Sequence, residues 1–267
     1  MEIDTRAMYA EAKKKSVNLS LKIISETVLF NYLQDMRHIL MLDIRSEEEF
    51  NQNYICKSFH IDLAKFTKEH LFELIVKTAK IFASYNPKEN DTLRRILIIT
   101  KGPLKEDSTI KDFIKMINSL NCITQILSLK GGIELVKAKY PYILVNKTSS
   151  DSEYGFAASR FPSIVSEGKL YLGNFLNAGA TKQLEVMGIT RLIGIAPDPL
   201  TNVDPRFKYE HFAFTENKDN QQIFLLNFEK IVETITESIE KGERVLVFSV
   251  VCCIINYRMD KEQQQLL

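Results

Sequence analysis

The sequence predicts an α/β protein with two domains, and two observations support this prediction. Along the chain, short apolar runs alternate with longer amphipathic segments, which is typical of strands and helices that build a parallel sheet. The 267 residues also exceed the usual length of one domain. A hydrophobic share of 45%, with only ten glycines and seven prolines, excludes collagen-like, low-complexity and disordered classes.

In the first half, three continuous apolar runs predict buried strands, at residues 38–44, 96–100 and 123–129. Amphipathic segments between and around them predict helices at 23–34, directly after 44, and at 68–84, 109–119 and 133–139. Ser25 is the expected N-cap of the first of these helices. Ser46 and Glu49 have the spacing of a capping box for the second, and Arg45 is close enough in sequence to pair with Glu49.

The second half predicts a hairpin, two helices and three further strands. The hairpin covers residues 163–174 and turns at 166–168. Strands are expected at 189–195, 207–214 and 244–248. One helix begins near residue 175 and ends at Gly188, because glycine suits the left-handed position that follows a helix.

The second helix of this half is the longest amphipathic segment and should end at Gly242. Its apolar positions recur at helical spacing and share one face: Phe224, Phe228, Ile231, Ile235 and Ile239. We expect this face and the strand at 245–248 to belong to a sheet that is covered on both sides, and to expose apolar surface where covering helices are missing.

These elements divide the chain into five segments. Residues 1–21 are an N-terminal extension, and 22–145 form the first domain. Residues 146–162 are small and polar and are expected to be a linker. Residues 163–249 form a second, partial domain, and 250–267 are a divergent C-terminal tail.

Charge and hydropathy limit the classes of partner. Thirty-five basic and 34 acidic side chains leave a net charge of +1, so we expect no nucleic-acid partner. No apolar run reaches the roughly 18 residues that a membrane-spanning helix needs, so we expect no membrane partner. Glu2, Asp4 and Glu11 are unlike a transit peptide. We therefore expect a cytoplasmic protein, with a mitochondrial location as the alternative left open.

Cysteine and histidine positions predict no metal site and no cofactor. The four cysteines show neither a disulfide framework nor metal-ligand spacing, and the four histidines are scattered: Cys56, Cys122, Cys252, Cys253, His38, His60, His70 and His211. We interpret the cysteines as reduced thiols.

Two segments resemble a rhodanese-like domain. LDIRSEEEFNQNYICKSFHI at 42–61 is similar to the segment near the start of that domain, and SLKGGIELVKAKYP at 128–141 is similar to its closing segment. From KLYLGN at 169–174 to GERVLVFS at 242–249, the second half resembles the amino-terminal part of a dual-specificity phosphatase domain. This order of domains is that of the mitogen-activated protein kinase phosphatases. The resemblance implies a rhodanese-like parallel sheet flanked by helices, followed by an incomplete α/β dual-specificity phosphatase-like domain.

The residues that carry chemistry in these families are replaced. An active rhodanese has a persulfide-forming cysteine where this chain has Thr100. Aligned on RVLVF, the chain has Phe248 in place of the histidine of the phosphatase signature and Ser249 in place of its nucleophilic cysteine. It has Ile255 in place of the phosphate-binding arginine. The chain resembles the serine/threonine/tyrosine-interacting-like pseudophosphatases, which join a cysteine-free rhodanese-like domain to an inactive phosphatase domain. The resemblance implies a catalytically inactive protein that acts through protein partners.

The sequence after Ser249 departs from these relatives as well. It reads VVCCIINYRMDKEQQQLL and lacks the glycine-rich loop and the helices that follow it, so we expect a truncated or alternatively spliced product. Cys252 and Arg258 satisfy the bare phosphatase spacing, which leaves an active protein phosphatase as the alternative function. The bulky residues between them cannot wrap a phosphate easily. A sulfurtransferase is the third alternative.

Binding residues are predicted only weakly. The expected partners are proteins: kinases, phosphatases or phosphoproteins. Arg94 and Arg95 suggest the basic docking site that kinase phosphatases carry in the rhodanese-like domain. The matching family segment, however, lies soon after SFHI, where this chain has only Lys65 and Lys68. A general acid would be Glu216 or Asp219, without a clear register.

Overall fold

The computed structural model describes six stretches of the chain, residues 19–34, 39–85, 95–120, 123–146, 161–214 and 221–249. The chain divides into two compact units, Met1–Ser159 and Arg160–Leu267. Each unit contains a largely parallel sheet of five strands flanked by helices, so the predicted α/β class is confirmed.

Strands and helices alternate through the first unit. In chain order they are β1 (Leu21–Ile24), α1 (Glu26–Gln34), β2 (Ile39–Asp43), α2 (Glu47–Gln52), β3 (Tyr54–Ile55), β4 (Phe59–His60), α3 (Lys68–Tyr85), β5 (Arg95–Ile99), α4 (Ser108–Asn118), β6 (Gln125–Leu129), α5 (Gly132–Lys139), a 3₁₀ turn (Pro141–Ile143) and β7 (Leu144–Val145). The sheet has the order β1-β6-β5-β2-β4 with every pair parallel, and β3 and β7 form a separate antiparallel pair.

Helices cover both faces of this sheet, which explains the continuous apolar runs of its strands. Side chains alternate along a strand, so Leu40 and Leu42 of β2 point to one face. They pack in a buried cluster with Leu71 of α3 and Phe113 of α4. Met41, between them, is buried as well, at 2% exposure, so the opposite face is also covered.

The second unit repeats this arrangement with a hairpin at one edge. Its elements are β8 (Ser163–Ser166), β9 (Leu170–Asn174), α6 (Phe175–Gly179), α7 (Thr181–Met187), β10 (Arg191–Ala196), β11 (Lys208–Ala213), α8 (Gln221–Glu240) and β12 (Val245–Ser249). The sheet order is β11-β10-β12-β9-β8, and only the β8–β9 pair is antiparallel among these strands. Gly168 and Gly242 have φ of +71° and +79°, as the predicted turns require.

Four sequence predictions about the fold need correction. Strand β1 was missed, because its residues lie at the sheet edge and two of them are exposed. The helix predicted from 175 to Gly188 is two helices, since Ala180 leaves the helical conformation at ψ 67°. Strand β12 exposes no apolar surface, because all five of its residues are buried. Phe228 was placed on the packed face of its helix but is 48% exposed.

Other predictions fall outside the part of the chain that the structure describes. They concern the extension at 1–18, most of the linker, the tail at 250–267, and the side chain of Phe224. No helix that the structure describes is long and apolar enough to span a membrane.

Aromatic side chains fill the interior of the second unit beside β12. The ring of Phe248 is 1% exposed and lies edge-on to Phe175, with 5.3 Å between ring centroids. It stacks on Tyr209 at 6.1 Å. Gly194, on the neighbouring strand β10, leaves room for this ring: a Cβ there would lie 2.9 Å from Cζ of Phe248. The position of Phe248 therefore depends on a glycine at 194.

We predict that Gly194→Ala destabilises the second unit by about 1–3 kcal/mol, because the added methyl group overpacks a filled core. Urea denaturation measures the loss. Gly179→Ala is the matched control, since a Cβ at Gly179 meets nothing within 4 Å. Adding Phe248→Leu to Gly194→Ala should recover part of the loss, since it removes the atom in closest contact. Equal stability of the two alanine variants would contradict the packing argument.

Candidate functional site

The polar residues of the first unit meet at the carboxyl ends of its parallel strands. Asp43 ends β2, Thr100 follows β5, and Lys130 follows β6. In an open parallel sheet this edge is where ligands usually bind. In the rhodanese-like domains that the sequence resembles, the persulfide-forming cysteine would correspond to Thr100 at this edge.

Asp43 and Arg45 form a buried ion pair at this edge. The Asp43 carboxylate is 0% exposed, and the Arg45 side chain is 4% exposed. Nε of Arg45 donates to Oδ1 at 2.9 Å and Nη2 donates to Oδ2 at 2.7 Å, which is a bidentate geometry. The backbone N–H of Arg45 donates to the same carboxylate at 3.1 Å. Both charges are thus neutralised inside the protein.

Arg45 also fixes the segment that follows it. Its guanidinium donates to the backbone carbonyl oxygens of Glu49, within α2, at 3.3 Å and of Asn53, directly after α2, at 2.6 Å, so it holds the C-terminal part of this helix. Nε2 of His60 hydrogen-bonds the Arg45 carbonyl oxygen at 2.8 Å. The predicted pairing of Arg45 with the Glu49 carboxylate is therefore wrong, because the Asp43 carboxylate binds the guanidinium instead.

Glu49 pairs with a lysine from the next loop. Its carboxylate lies 2.9 Å from Nζ of Lys101, which joins α2 to the loop after β5. Hydrogen bonding and charge from Lys101 lower the pKa of Glu49, although partial burial opposes the shift. Ser46 caps α2 as predicted, since its hydroxyl accepts a hydrogen bond from the Glu49 N–H at 3.2 Å. The other half of the predicted capping box differs, because the Glu49 carboxylate accepts its hydrogen bond from the Ser46 hydroxyl, at 3.3 Å.

The Thr100 hydroxyl is used in a local hydrogen bond. Oγ1 donates to the carbonyl oxygen of Gly102 at 2.7 Å. A carbonyl oxygen is too weak a base to take the hydroxyl proton, so this contact does not activate the oxygen as a nucleophile. Thr100 stabilises the turn after β5.

The N-terminus of α5 closes against this turn. The N–H groups of Ile133 and Glu134 donate to the carbonyl oxygens of Thr100 at 2.9 Å and Lys101 at 3.2 Å. Gly132 has a φ of +63°, and a Cβ there would lie 2.4 Å from the Gly102 carbonyl oxygen. The second glycine of the LKGG segment is thus required for close backbone approach.

Glu26 is a buried site residue that sequence reasoning missed. It is 2% exposed, and its carboxylate accepts a hydrogen bond from the N–H of Gly131 at 2.8 Å. The two residues are 105 positions apart. The only local signal was the position of Glu26 in the first turn of α1, which indicates a helix start and no distant partner.

Ser249 lies at the corresponding edge of the second unit. It ends β12, is 9% exposed, and pairs in register with Asn174 of β9. Asn174 caps α6 by a reciprocal pair of 3.0 Å hydrogen bonds with Asn177. The residue before Ser249 is Phe248, whose ring is held by the aromatic contacts described above.

The candidate binding residues that the structure describes have partners within the chain. Lys65 pairs with Asp62 at 3.3 Å, and Nζ of Lys68 donates to the Ser119 carbonyl oxygen at 3.3 Å. The Arg95 guanidinium donates to Oε1 of Gln125 at 3.0 Å and lies 5.5 Å from the centroid of the Tyr32 ring. The remaining candidates fall outside the described residues: Arg94, Glu216, Asp219, Cys252, Ile255 and Arg258.

The histidines in the described ranges are hydrogen-bonded to backbone groups. Nε2 of His60 and of His211 bind backbone carbonyl oxygens, and Nδ1 of His70 accepts from the Thr67 N–H. Over the same ranges, no group of three or more His, Cys, Asp or Glu side chains is placed to hold a metal ion.

Comparison with known proteins gives matches only among solved structures. No protein-family model and no curated protein matches the chain. The crystal structure of DUSP15 is similar at 26% identity and a TM-score of 0.30, covering 33% of this chain and 55% of that one. Ygr203w of Saccharomyces cerevisiae, a homolog of single-domain rhodanese and the Cdc25 phosphatase catalytic domain, matches at 14% identity and a TM-score of 0.32, covering 52% and 89%.

A thiosulfate sulfurtransferase from Pseudomonas aeruginosa matches more of this chain. Its identity is 12% and its TM-score 0.30, with 85% of this chain and 41% of that chain covered. The chain spans about half the length of the DUSP15 chain that it matches.

We predict that Arg45→Met destabilises the first unit by about 3–5 kcal/mol, because it leaves the Asp43 carboxylate buried without a counter-charge. Urea denaturation followed by circular dichroism measures this loss. Lys65→Met is the matched control, since it removes an exposed partner of an aspartate in the same unit, and its midpoint should equal that of the parent protein. If the two variants unfold at the same urea concentration, the buried pair does not have the structural role argued here.

We predict that Lys101→Met raises the pKa of Glu49, because it removes the main group that lowers it. A lowered folded-state pKa means that the ion pair stabilises the protein above the ordinary carboxyl range. This stabilisation is lost as the pH falls through the lowered value. An NMR titration of the Glu49 side-chain carboxyl measures the shift, with Lys105→Met as control. An unchanged pKa in Lys101→Met would refute the assignment of Lys101 as the cause.

Proposed function

We propose that this chain is a catalytically inactive, phosphatase-like protein that acts as a protein-interaction or regulatory module in phosphorylation signalling. The observation that carries the proposal is the pair at the end of β12, where Phe248 and Ser249 stand in the places that the resembled phosphatases give to histidine and the nucleophilic cysteine. The chemistry of each substitution supports the proposal.

A serine at position 249 lacks the ionisation that the reaction needs. The attacking group in the resembled phosphatases is a thiolate, whose pKa is lowered by its surroundings. A serine hydroxyl stays protonated near neutral pH unless a base takes its proton. The preceding position offers no such base, because Phe248 carries a hydrocarbon ring that is 1% exposed and packed against Phe175 and Tyr209.

The corresponding position of the rhodanese-like unit supports the same conclusion. Sulfur transfer passes through a persulfide on a cysteine, and Thr100 has no sulfur to carry it. Its hydroxyl donates to the Gly102 carbonyl oxygen, and the carbonyl oxygen of Thr100 itself accepts from α5. The loop is thus organised by contacts within the chain.

The proposed partners follow from the resemblance to kinase phosphatases. A protein that keeps such an architecture without its nucleophiles acts by occupying a surface of a kinase, a phosphatase or a phosphoprotein. We propose a cytoplasmic protein, and neither nucleic acid nor a membrane is among the proposed partners.

The test of inactivity is turnover of an aryl phosphate by the purified full chain. We predict a flat progress curve from pH 5 to pH 8, and no cyanide-dependent consumption of thiosulfate. Turnover that Cys252→Ser abolishes would establish the alternative, an active phosphatase that uses Cys252 and Arg258. Turnover that survives Cys252→Ser and is abolished by Ser249→Ala would overturn the proposal at its central residue.

The test of the interaction role uses purified kinases and dual-specificity phosphatases. We predict that at least one of them is retained by the immobilised full chain and that the destabilised variant Arg45→Met loses this binding. Lys115→Met, which removes the exposed partner of Asp112 in the same unit and keeps the buried ion pair, should bind as the parent protein does. Failure of the whole panel to bind would count against a role in phosphorylation signalling.

A further inference from the structure

Helix α8 carries apolar side chains that the sheet of its own unit does not cover. Phe228 and Val232, one turn apart, are 48% and 44% exposed. Ile231 is 4% exposed and belongs to the buried cluster of the unit, with Ile235 and Ile239 packed against it. At 100° per residue, Phe228 lies within the arc of this packed stripe, between Ile235 and Ile239, and Val232 lies about 20° outside it. The apolar face of α8 therefore extends beyond the surface that covers it.

Acidic residues border this extra apolar strip. Six exposed residues of this helix form one open patch, which we call the α8 surface: Phe228, Glu229, Val232, Glu233, Thr236 and Glu237. The three glutamates recur every four residues, so they form a row parallel to the strip. Only Glu237 has a cationic partner among the described residues, Lys241 at 3.0 Å. Glu229 and Glu233 leave this border negatively charged.

We propose that the α8 surface binds a basic amphipathic helix of a partner protein, with apolar side chains over Phe228 and Val232 and lysines or arginines over Glu229 and Glu233. In this binding mode, the apolar face of one helix packs on an apolar strip, and its charged residues pair with the flanking charges. The inference rests on the proposed function, since it names a surface through which the interaction role is carried out.

Charge decides between this occupant and two others. A second copy of the chain docked antiparallel through the same surface would place its own row of glutamates beside this one, and like charges across an interface are unfavourable. Anionic lipid would be repelled by the same carboxylates. A cationic helix can bury its apolar side chains on the strip and pair its lysines or arginines with the carboxylates that border it.

The test measures binding of a synthetic peptide to the full chain by fluorescence anisotropy. The probe is a fluorescein-labelled 18-residue peptide of leucine and lysine, with leucines at helical spacing on one face. We expect the dissociation constant to rise at least tenfold in Phe228→Gln/Val232→Gln and in Glu229→Lys/Glu233→Lys. A peptide with glutamate in place of lysine should bind the second of these variants more tightly than it binds the parent chain.

The matched control is Phe72→Gln/Glu73→Lys, which changes the same residue types on α3, where Phe72 is 40% exposed. It should change the dissociation constant less than twofold, and circular dichroism checks that all variants fold. Equal losses in the control and in the α8 variants, or no loss in the α8 variants, would overturn the inference. A dimer in sedimentation that the α8 variants dissociate would overturn it in favour of a second copy.

Failure of this inference can be separated from failure of the proposed function. Aryl phosphate turnover by the parent chain refutes the proposed function whatever the peptide does. Absence of peptide binding to a parent chain that is inactive and still binds a kinase or phosphatase refutes only the α8 surface.

Discussion

The Asp43 carboxylate ends a strand whose every residue is buried, so its charge has to be balanced inside the protein. Arg45 supplies that balance and, with the same guanidinium, binds carbonyl oxygens within α2 and directly after it. The position of α2 then allows Glu49 to reach Lys101 in the neighbouring loop. That loop in turn accepts the first N–H groups of α5. One buried ion pair thus lies at the start of a continuous set of contacts along the carboxyl edge of the first sheet.

Through these contacts, the polar groups at the carboxyl edge of the first sheet hold its loops and helices in place. In an enzyme of this fold, unpaired N–H groups and a reactive side chain face the ligand at the strand ends. Here the α5 N–H groups of Ile133 and Glu134 and the hydroxyl of Thr100 have partners in the same chain. In the second unit, the residue before Ser249 is fixed by packing, since the Phe248 ring fills the space that Gly194 leaves open. The polar groups at the edge of the first sheet that could bind a substrate thus bind the protein itself, which is consistent with the inactivity that we propose.

Much of this fold could be predicted from the sequence, because buried parallel strands are continuous apolar runs. Strands β2, β5 and β6 were found for that reason. Strand β1 gives no such signal, since Ile23 at the sheet edge is 65% exposed. At the site, Thr100 and Ser249 could be located from their places after strands, whereas the bond of Glu26 to Gly131 joins residues that no local pattern relates. The exposure of Phe228 also needed the structure, because helical spacing does not say how wide a face the sheet covers.

The central claim is that no group in this chain takes a phosphoryl or sulfane group from a substrate. Intact-protein mass spectrometry tests it most directly, after the full chain is mixed with an aryl phosphate or with thiosulfate and quenched rapidly in acid. The account predicts a single species with the mass of the unmodified polypeptide in both mixtures. A species heavier by one phosphoryl group or one sulfur atom, mapped by peptide analysis to a cysteine or to Ser249, would contradict it.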